Sequence, residues 1–543
     1  MKKNKFWILL NLFGGILLFL VVSFCLSSDL TGIPVQAMAE IQQTADLPRV
    51  EPMAFDRVTE GNYNCRYGAT VNDGSQTVYL DDLAVGWYSN FSVNFTNVVS
   101  SGIEYVPTIR LKQARDEVTG DRLPDYLVVG PQLTDEPDGL GALIDAHPGS
   151  LWLVGNEVDR IYWQDDIMPE VYAKAYHDVY YFIKERDPSA KVANSGLVQV
   201  TPGRLQYLDI MWDEYLALYG MAMPVDVWNM HVYILPEAKM ENGVRQPSAL
   251  ADIALGTDIN LGKLESDGTS NLCADDGVYC FAEHDDIGIF AGQVVAMRQW
   301  MKGHGQQQKP LIITEYSQLY PYIDDGSTCF LTDEFGNCFT ESRVTQFMQE
   351  TVNLLENSKD PNLGYHPDED RLVQQWLWYT VNNSEEGAPS NLVYLNHEDH
   401  ADGTLTPMGV AYQQAATSEL YINLVPEVES NPFVAQNSNE ITLTVSVMNN
   451  GSISVTDPFT VTFYEDELMT EEIGSYRVEE TIGGCVRSSV EVAVNWDNLA
   501  PGLNEFWGMI DSDNDIDEDN TDNQFNGFVL VNPWQLVLPM IYR

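Results

Sequence analysis

The chain has 543 residues, 44% of them hydrophobic, and a chain of this length is expected to form two or three folded domains. Its 28 Lys and Arg residues are outnumbered by 80 Asp and Glu residues, which gives a formal net charge of -52. Such a charge repels phosphate backbones and anionic lipid, so nucleic acid is not the expected partner.

The N-terminus has the features of an export signal. Lysines precede an apolar run over residues 6–26, and the small-residue triplet Ala37-Met38-Ala39 follows it. We therefore predict that residues 1–39 are a secretory signal peptide, or a membrane anchor if they are retained, because the run is long enough to cross a bilayer. The expected location is secreted or on the extracellular cell surface.

The seven cysteines fit an oxidising compartment. Two local disulfides are predicted inside polar loops, one between Cys273 and Cys280 and one between Cys329 and Cys338. A four-cysteine metal site is the alternative, but neither pair has zinc-knuckle spacing, so no metal and no cofactor is predicted. Cys65 and Cys485 are too far apart in sequence for a pairing to be predicted.

After a polar leader at residues 40–76, apolar runs alternate with amphipathic helical segments. The runs predicted to be strands cover residues 83–88, 105–110, 126–129, 151–155, 191–194, 225–231, 311–315 and 373–379. The clearest helices are predicted at 169–185, 287–301 and 341–356. Eight strands alternating with helices are the count of an α/β fold, the (β/α)8 barrel, so residues 77–418 are predicted to form one.

Two of these strands end in glutamate. Glu157 follows the fourth predicted strand and Glu315 ends the seventh. In a barrel the C-terminal ends of all strands lie on one rim, where two carboxyl groups about 5 to 5.5 Å apart can cleave a glycosidic bond with retention. Glu157 is predicted to be the acid/base and Glu315 the nucleophile. Taken singly, either glutamate is more commonly a helix cap or a solvated acid.

The Asn156-Glu157 pair and Glu315 resemble the signature of clan A of the glycoside hydrolases, retaining enzymes built on (β/α)8 barrels. The resemblance covers about residues 80–416 and implies a carbohydrate substrate. Asn156 is expected to bind the sugar 2-hydroxyl. The resemblance also implies that Arg110 orients the nucleophile. It implies substrate-binding roles for further residues, namely His231, Tyr233, Trp87 and either Trp376 or Trp378.

Within the clan, the run Gly86-Trp87-Tyr88-Ser89-Asn90 is similar to the short-barrel β-1,3-glucanase family. Val158 stands where that family has proline, so other β-glycan activities stay open. Several residues also have plainer interpretations: His231 as a core histidine, and the tryptophans as barrel filling. Two other functions remain as alternatives: a non-catalytic glycan-binding protein on the same barrel, and a surface adhesion protein.

Past a linker at residues 419–433 the pattern becomes short alternating runs between Asn-Gly and Pro-Gly turns, which predicts a β-sandwich over residues 434–543. This module resembles the adhesion-type bacterial immunoglobulin-like domains. An acidic loop at residues 511–522 is predicted either to bind calcium weakly or to be a solvated turn. It is not an EF-hand, because Ile516 stands where that motif requires glycine.

Overall fold

The computed structural model describes residues 63–97, 99–161, 163–235, 237–238, 240–241, 244–245, 251–258, 261, 284–318, 337–383, 390–428, 431–518 and 522–532. The predicted signal segment and the cysteines at 273, 280 and 329 lie outside these residues. Cys338 is described and is disulfide-bonded. In the described part of the chain no helix combines the length and apolar character that a bilayer span needs.

The helices are α1 Leu140–Ala146, α2 Pro169–Arg186, α3 Pro202–Tyr219, α4 Ile287–Gly303, α5 Glu341–Asn357 and α6 Pro407–Ala416. Short 3-10 helices cover Gly74–Tyr79 and His366–Asp368. The strands before residue 400 are β1 Asn64–Thr70, β2 Val85–Ser89, β3 Glu104–Tyr105, β4 Thr108–Arg115, β5 Arg122–Gly130, β6 Leu151–Val154, β7 Lys191–Ala193, β8 Trp228–Val232, β9 Glu237–Ala238, β10 Met240–Glu241, β11 Val244–Arg245, β12 Ala251–Asp252, β13 Leu311–Tyr316 and β14 Gln375–Trp378. Those after it are β15 Leu424–Glu427, β16 Phe433–Ala435, β17 Ile441–Asn449, β18 Phe459–Tyr464, β19 Glu472–Val478, β20 Ser489–Trp496, β21 Gly502–Met509 and β22 Gln524–Val531.

The part before residue 418 is a mixed α/β domain with two mainly parallel sheets. In the first, the order is β3-β2-β1-β14-β13-β8, and every neighbouring pair is parallel. In the second, the order is β5-β4-β6-β7, and β4, β6 and β7 are parallel. Two residues connect β3 to β4, and a parallel bridge joins Ala193 of β7 to Val227, just before β8. The parallel strands of both sheets therefore run in the same direction.

The three clearest predicted helices are confirmed as α2, α4 and α5, and local chemistry explains where they begin. Pro169 opens α2, where its fixed φ suits a first turn and its missing N–H costs nothing. Asp286 caps α4, because its carboxylate accepts a hydrogen bond from the backbone N–H of Ile289 at 2.9 Å. Thr340 caps α5 in the same way.

The sequence analysis placed one strand wrongly in the sheet and missed another. The segment containing residues 126–129 is not a parallel strand: β5 pairs antiparallel with β4 as the edge of a hairpin, with Leu127 and Val129 exposed. Conversely, β1 lies in the expected polar leader and pairs in parallel with β2 and β14. When β3 and β4, which two residues separate, are counted as the single strand predicted at residues 105–110, Glu157 still follows the fourth parallel strand of the two sheets in chain order, and Glu315 lies on the seventh.

The apolar core has two layers separated by the strands. The larger one lies between the strands and the helices. A smaller cluster draws a buried side chain from strands of both sheets and the residues next to them, namely Trp87, Val106, Leu151, Leu153, Ala193, Val227, Ile312 and Leu377. Gly68 of β1 borders this cluster, and a Cβ there would lie 2.2 Å from Leu377 Cδ2, so the packing requires glycine.

The C-terminal module is a sandwich of a three-stranded sheet, β15-β17-β20, and a five-stranded sheet, β16-β22-β21-β18-β19. It contacts the α/β domain where strands begin. Cys65 of β1 forms a disulfide with Cys485, and its backbone N–H donates to Ser452 O at 2.8 Å. Arg487 is ion-paired with Glu104 at the start of β3. The module thus covers the end of the parallel strands opposite to Glu157 and Glu315.

The described part of the acidic loop is a self-supporting turn. The carboxylate of Asp511 accepts hydrogen bonds from the backbone N–H groups of Asp515 and Ile516 at 2.8 and 2.9 Å. Asp515 is in turn ion-paired with Arg477 at 2.5 Å. The carboxylates of this turn are thus bonded to protein donors, so the predicted calcium site gains no support.

Candidate active site

Glu157 and Glu315 lie together at the C-terminal ends of parallel strands. Glu157 comes three residues after β6, and Glu315 is the fifth residue of β13. One oxygen of each carboxylate and a ring nitrogen of His231 all lie within 4.8 Å of one another, and all three side chains are buried. His231 Nδ1 is 3.3 Å from Glu157 Oε1 and 3.8 Å from Glu315 Oε2, so one imidazole faces both acids.

The hydrogen bonds around His231 fix its orientation. Thr314 Oγ1 donates its single proton to Asn229 Oδ1 at 2.8 Å, so it can only accept from His231 Nε2 at 3.1 Å. His231 Nε2 therefore carries a proton, and Nδ1 is the nitrogen that gains or loses one. When His231 is neutral, its Nδ1 lone pair faces two carboxyl groups, which favours a proton on one of them.

Two further side chains distinguish the carboxylates. Tyr233 OH donates to Glu315 Oε1 at 2.6 Å, whereas Arg160 Nη1 donates to Glu157 Oε2 at 3.1 Å. Burial opposes ionisation of Glu157, but Arg160 and His231 outweigh it and lower the pKa of this carboxyl. Burial and the nearby charge of Glu157 raise the pKa of Glu315, although His231 and Tyr233 oppose the shift. In the free site Glu315 therefore holds a proton more readily than Glu157 does.

The turn that carries Glu157 is held rigidly. Glu157 itself has a positive φ of 45°, an uncommon conformation for a residue with a side chain. Two residues later, Asp159 is ion-paired with Arg204 of α3, and both are fully buried. Arg204 Nε also bonds Glu237 Oε1 at 2.8 Å, beyond the end of β8. One buried guanidinium thus connects the segment after β6, which carries Glu157, to the segment that follows β8, the strand of His231.

Arg110 does not take the position predicted for it. Its Nε donates to Asp165 Oδ1 at 2.6 Å, and no ion pair with Glu315 is found among the described residues. Asp165 Oδ2 accepts from the backbone N–H groups of Leu111 and Asn156 at 3.0 and 2.9 Å. Arg110 therefore supports the segment preceding Glu157, because the nearer carboxylate on its own edge is Asp165. Asn156 is buried beside the acid.

The predicted sugar-stacking tryptophans are all core residues. Trp376 packs edge-on against Tyr67 and Trp378 against Tyr316, both at 5.1 Å between ring centroids, in the layer between strands and helices. Leu377 between them points to the opposite face, into the smaller core cluster. Trp87 belongs to that same cluster and is fully buried. Trp376 and Trp378 thus share one strand face, which packs against the helices, and the sequence alone did not show which way that face points.

Sequence reasoning missed three residues at this site. Arg160 is three residues after Glu157, and a basic residue at that spacing from a candidate acid was the available signal. Thr314 adjoins Glu315 and was overlooked because it is a common strand residue. Tyr379 directly follows β14, is partly exposed, and stands 6.3 Å from Phe91 between ring centroids. Its hydroxyl accepts a hydrogen bond from Asn383 Nδ2 at 3.0 Å.

Two carboxylates and an imidazole can also hold a metal ion, and Glu157, His231 and Glu315 are the one such group found in the described residues. The donors around them argue against it. Arg160 already places a cation on Glu157, and Tyr233 already donates to Glu315. A divalent ion bound between Glu157 Oε1 and Glu315 Oε2 would lie close to the Arg160 cation, so the arrangement is better suited to proton transfer.

The comparisons with known proteins identify the C-terminal module. A family model described as CARDB matches residues 418–527. The module is a CARDB domain, an immunoglobulin-like domain of the adhesion type. Among solved structures, the CARDB domain of the PF1109 protein from Pyrococcus furiosus, determined in complex with di-metal ions, is 21% identical over 20% of this chain and 96% of that one, with a TM-score of 0.17.

The α/β domain is similar to more distant structures. A monomeric β-xylosidase from Caulobacter crescentus CB15 is 12% identical over 82% of this chain and 98% of that one, with a TM-score of 0.38. A β-glucuronidase from Bacteroides uniformis is 11% identical over 87% of this chain and 46% of that one, with a TM-score of 0.36. A search of curated proteins found no match. At such identities a shared activity does not follow, whereas the CARDB domain is placed by its own family match.

Proposed function

We propose that the two parallel sheets close into one (β/α)8 barrel with Glu157 and Glu315 at its mouth. The connection from β3 to β4 and the bridge between Ala193 and Val227 would join the sheets at both ends. The smaller core cluster supports closure, because it gathers side chains from strands of both sheets as a barrel interior does. The proposed domain is followed directly by the CARDB domain, because the predicted linker at residues 419–433 contains β15 of the sandwich and lies within the family match.

We infer that this domain is a retaining glycoside hydrolase acting on a β-glycan. The observation that carries the proposal is the Glu157–Glu315 pair, whose nearest oxygens lie within 4.8 Å across His231. A separation of about 5 to 5.5 Å between carboxyl groups suits attack by one on the anomeric carbon while the other protonates the leaving oxygen. Inversion would need about 6.5 to 9.5 Å to admit a water.

In the proposed reaction, Glu157 donates its proton to the glycosidic oxygen as Glu315 Oε forms a bond to the anomeric carbon. The C–O bond to the leaving group breaks, and its electron pair stays on that oxygen. Glu157 then removes a proton from water, which attacks the same carbon and restores the Glu315 carboxylate. Since the free site favours the proton on Glu315, the proton must pass to Glu157 when substrate binds, and His231 Nδ1 lies between the two acids.

The proposed substrate contacts differ from those predicted on tryptophan. Tyr379 and Phe91 are the aromatic residues that we assign to the sugar-binding wall, because Tyr379 directly follows β14 and its ring lies 6.3 Å from that of Phe91 between centroids. Asn156 is kept as the ligand of the sugar 2-hydroxyl. His231 and Tyr233 position the two acids, and Arg110 positions Asn156 through Asp165.

The roles of the glutamates are tested by Glu315→Ala and Glu157→Ala in the full-length protein, with Asp166→Ala as a control carboxylate outside the pair. Release of reducing sugar from β-1,3-, β-1,4- and mixed-linkage glucans, mannan and xylan is expected to fall on the order of 10,000-fold in both variants. Azide or formate should rescue Glu315→Ala with inverted product. Wild-type turnover by either variant would contradict the proposal, and binding without cleavage by the wild type would favour a glycan-binding protein.

We also propose that the protein acts outside the cell or on its surface. The CARDB domain is of the adhesion type, and it contacts the α/β domain at the ends of strands away from Glu157. Held there, it would leave the mouth of the site open to a glycan. Full activity in the presence of an antibody fragment against the CARDB domain would agree with this placement.

A further inference from the structure

Arg160 is a cation at the edge of the catalytic pair that the proposed reaction does not use. Its guanidinium is 3.1 Å from Glu157 Oε2, and its side chain is 16% exposed while that of Glu157 is 2% exposed. The backbone fixes its position, because Arg160 N–H donates to Glu157 O at 3.0 Å within a turn held by Asp159 and Arg204. The side chain can change partners, but the turn cannot move freely.

This ion pair opposes the proposed role of Glu157 as a general acid. Oε2 accepts from Arg160, and Oε1 accepts from His231 Nδ1 whenever the imidazole is protonated, so the carboxyl holds a proton poorly. To act as an acid, Glu157 must lose the contact with Arg160. A neutral sugar offers this guanidinium only hydroxyl groups. A carboxylate on the substrate can bind it through two parallel, charge-assisted N–H···O bonds.

We propose that Arg160 binds a carboxylate of the substrate, so that the site is selective for glycosides of uronic acids. The inference rests on the proposed glycosidase function and names its substrate class. Substrate binding then moves Arg160 from Glu157 to the sugar carboxylate, and the proton shared by the two acids passes to Glu157. A substrate that lacks the charge leaves Arg160 on Glu157 and leaves the acid unprotonated.

The net charge of the protein favours short acidic substrates over long ones. A chain with a formal charge of -52 repels long polyanions at low ionic strength, whereas a single acidic sugar beside Arg160 is attracted locally. Short acidic oligosaccharides and chain ends are therefore favoured over intact polymers. Raising the salt concentration should increase cleavage of acidic polymers more than cleavage of small acidic glycosides, since screening removes the long-range repulsion.

The test uses matched aryl β-glycosides that differ only in charge: glucuronide, its methyl ester and glucoside, with the corresponding galactose series. For the wild type, kcat/KM for the acid is expected to exceed that for its ester by about 10- to 100-fold, the loss of one charge-assisted contact. In Arg160→Gln this ratio should fall close to one, and Arg160→Lys should keep part of it. Arg115→Gln, at an arginine paired with Asp166, is the control and should keep the wild-type ratio.

The outcomes separate this inference from the function on which it rests. Cleavage of neutral glycosides with no preference for the acid, or a preference that survives Arg160→Gln, would overturn the role of Arg160 and leave the glycosidase intact. Failure of the wild type to cleave any neutral or acidic glycan would overturn both. An acid preference abolished in Arg160→Gln and retained in Arg115→Gln supports the inference.

Discussion

The two ends of the parallel strands both bury charge, but they treat it differently. At the end where strands begin, Arg66 of β1 donates to Asp368 through both terminal nitrogens, at 3.0 and 2.8 Å, and to the carbonyls of Gln374 and Asn450. At the other end, Glu157 and Glu315 share His231, and Arg160 reaches only one of them. In the first arrangement each charge faces an opposite charge. In the second, Arg160 is paired with Glu157, whereas Glu315 faces the imidazole of His231.

The difference shows which end is built for stability and which for chemistry. Arg66 and Asp368 are almost fully buried, and the CARDB domain completes the pair through Asn450 O and closes it beneath the Cys65–Cys485 disulfide. Each charge of this pair faces an opposite charge. The acids at the mouth instead have pKa values pushed in opposite directions, an arrangement typical of groups that exchange a proton.

The largest expected effect comes from breaking the balanced end. Asp368→Ala leaves the guanidinium of Arg66 buried without its carboxylate, which is expected to lower the free energy of unfolding by about 3 to 5 kcal/mol. Urea unfolding at pH 7 measures the change. Asp125→Ala, which removes an exposed pair with Lys174, is the matched control and should change stability by less than about 1 kcal/mol. Equal effects of the two substitutions would contradict the comparison.

Replacing each of the two acids at the mouth should change the free energy of unfolding with opposite signs at pH 8. The raised pKa of Glu315, about 7, gives stability that is fully present below the ordinary pKa of a glutamate and lost as the pH rises through 7. Glu315→Gln should therefore match the wild type near pH 5 and exceed its stability by roughly 3 kcal/mol at pH 8.

Glu157 has a lowered pKa, so the stability it contributes is present at neutral pH and lost only as the pH falls toward 2. Glu157→Gln should therefore destabilise the protein at both pH 5 and pH 8, by roughly 3 kcal/mol. Unfolding curves of both variants at the two pH values check the signs. If Glu157→Gln were the more stable variant at pH 8, the proton would belong on Glu157 and the assignment from Arg160 would fail.

Much of the fold followed from sequence periodicity, because helices and strands that bury one clear apolar face repeat in a readable way. The strand before Glu157 and the three amphipathic helices are examples. Strand β1 was missed because its sequence, Asn-Cys-Arg-Tyr-Gly-Ala-Thr, is largely polar although all of it is buried. Arg66 is tolerated there only because Asp368 lies beside it, and the two are 302 residues apart in sequence.

The site residues that lie at the ends of parallel strands could be predicted, because the sequence shows where those strands end. Glu157, Glu315, His231 and Tyr233 are brought together because each lies at or near the end of a parallel strand. Partner choice was not predictable: Arg110 bonds Asp165 instead of Glu315, which depends on where the segment after β6 folds back. Long-range pairing was also beyond reach, since nothing local indicates that Cys65 meets Cys485.

The central claim is that Glu315 attacks the anomeric carbon while Glu157 serves as acid and base. The most direct test is to trap the glycosyl-enzyme with a 2-deoxy-2-fluoro β-glycoside carrying a good leaving group, and to locate the sugar by peptide mass spectrometry. The label is expected on Glu315 in the wild type and absent in Glu315→Gln. A sugar attached to Glu157, or turnover with inversion and no label on either glutamate, would contradict the mechanism.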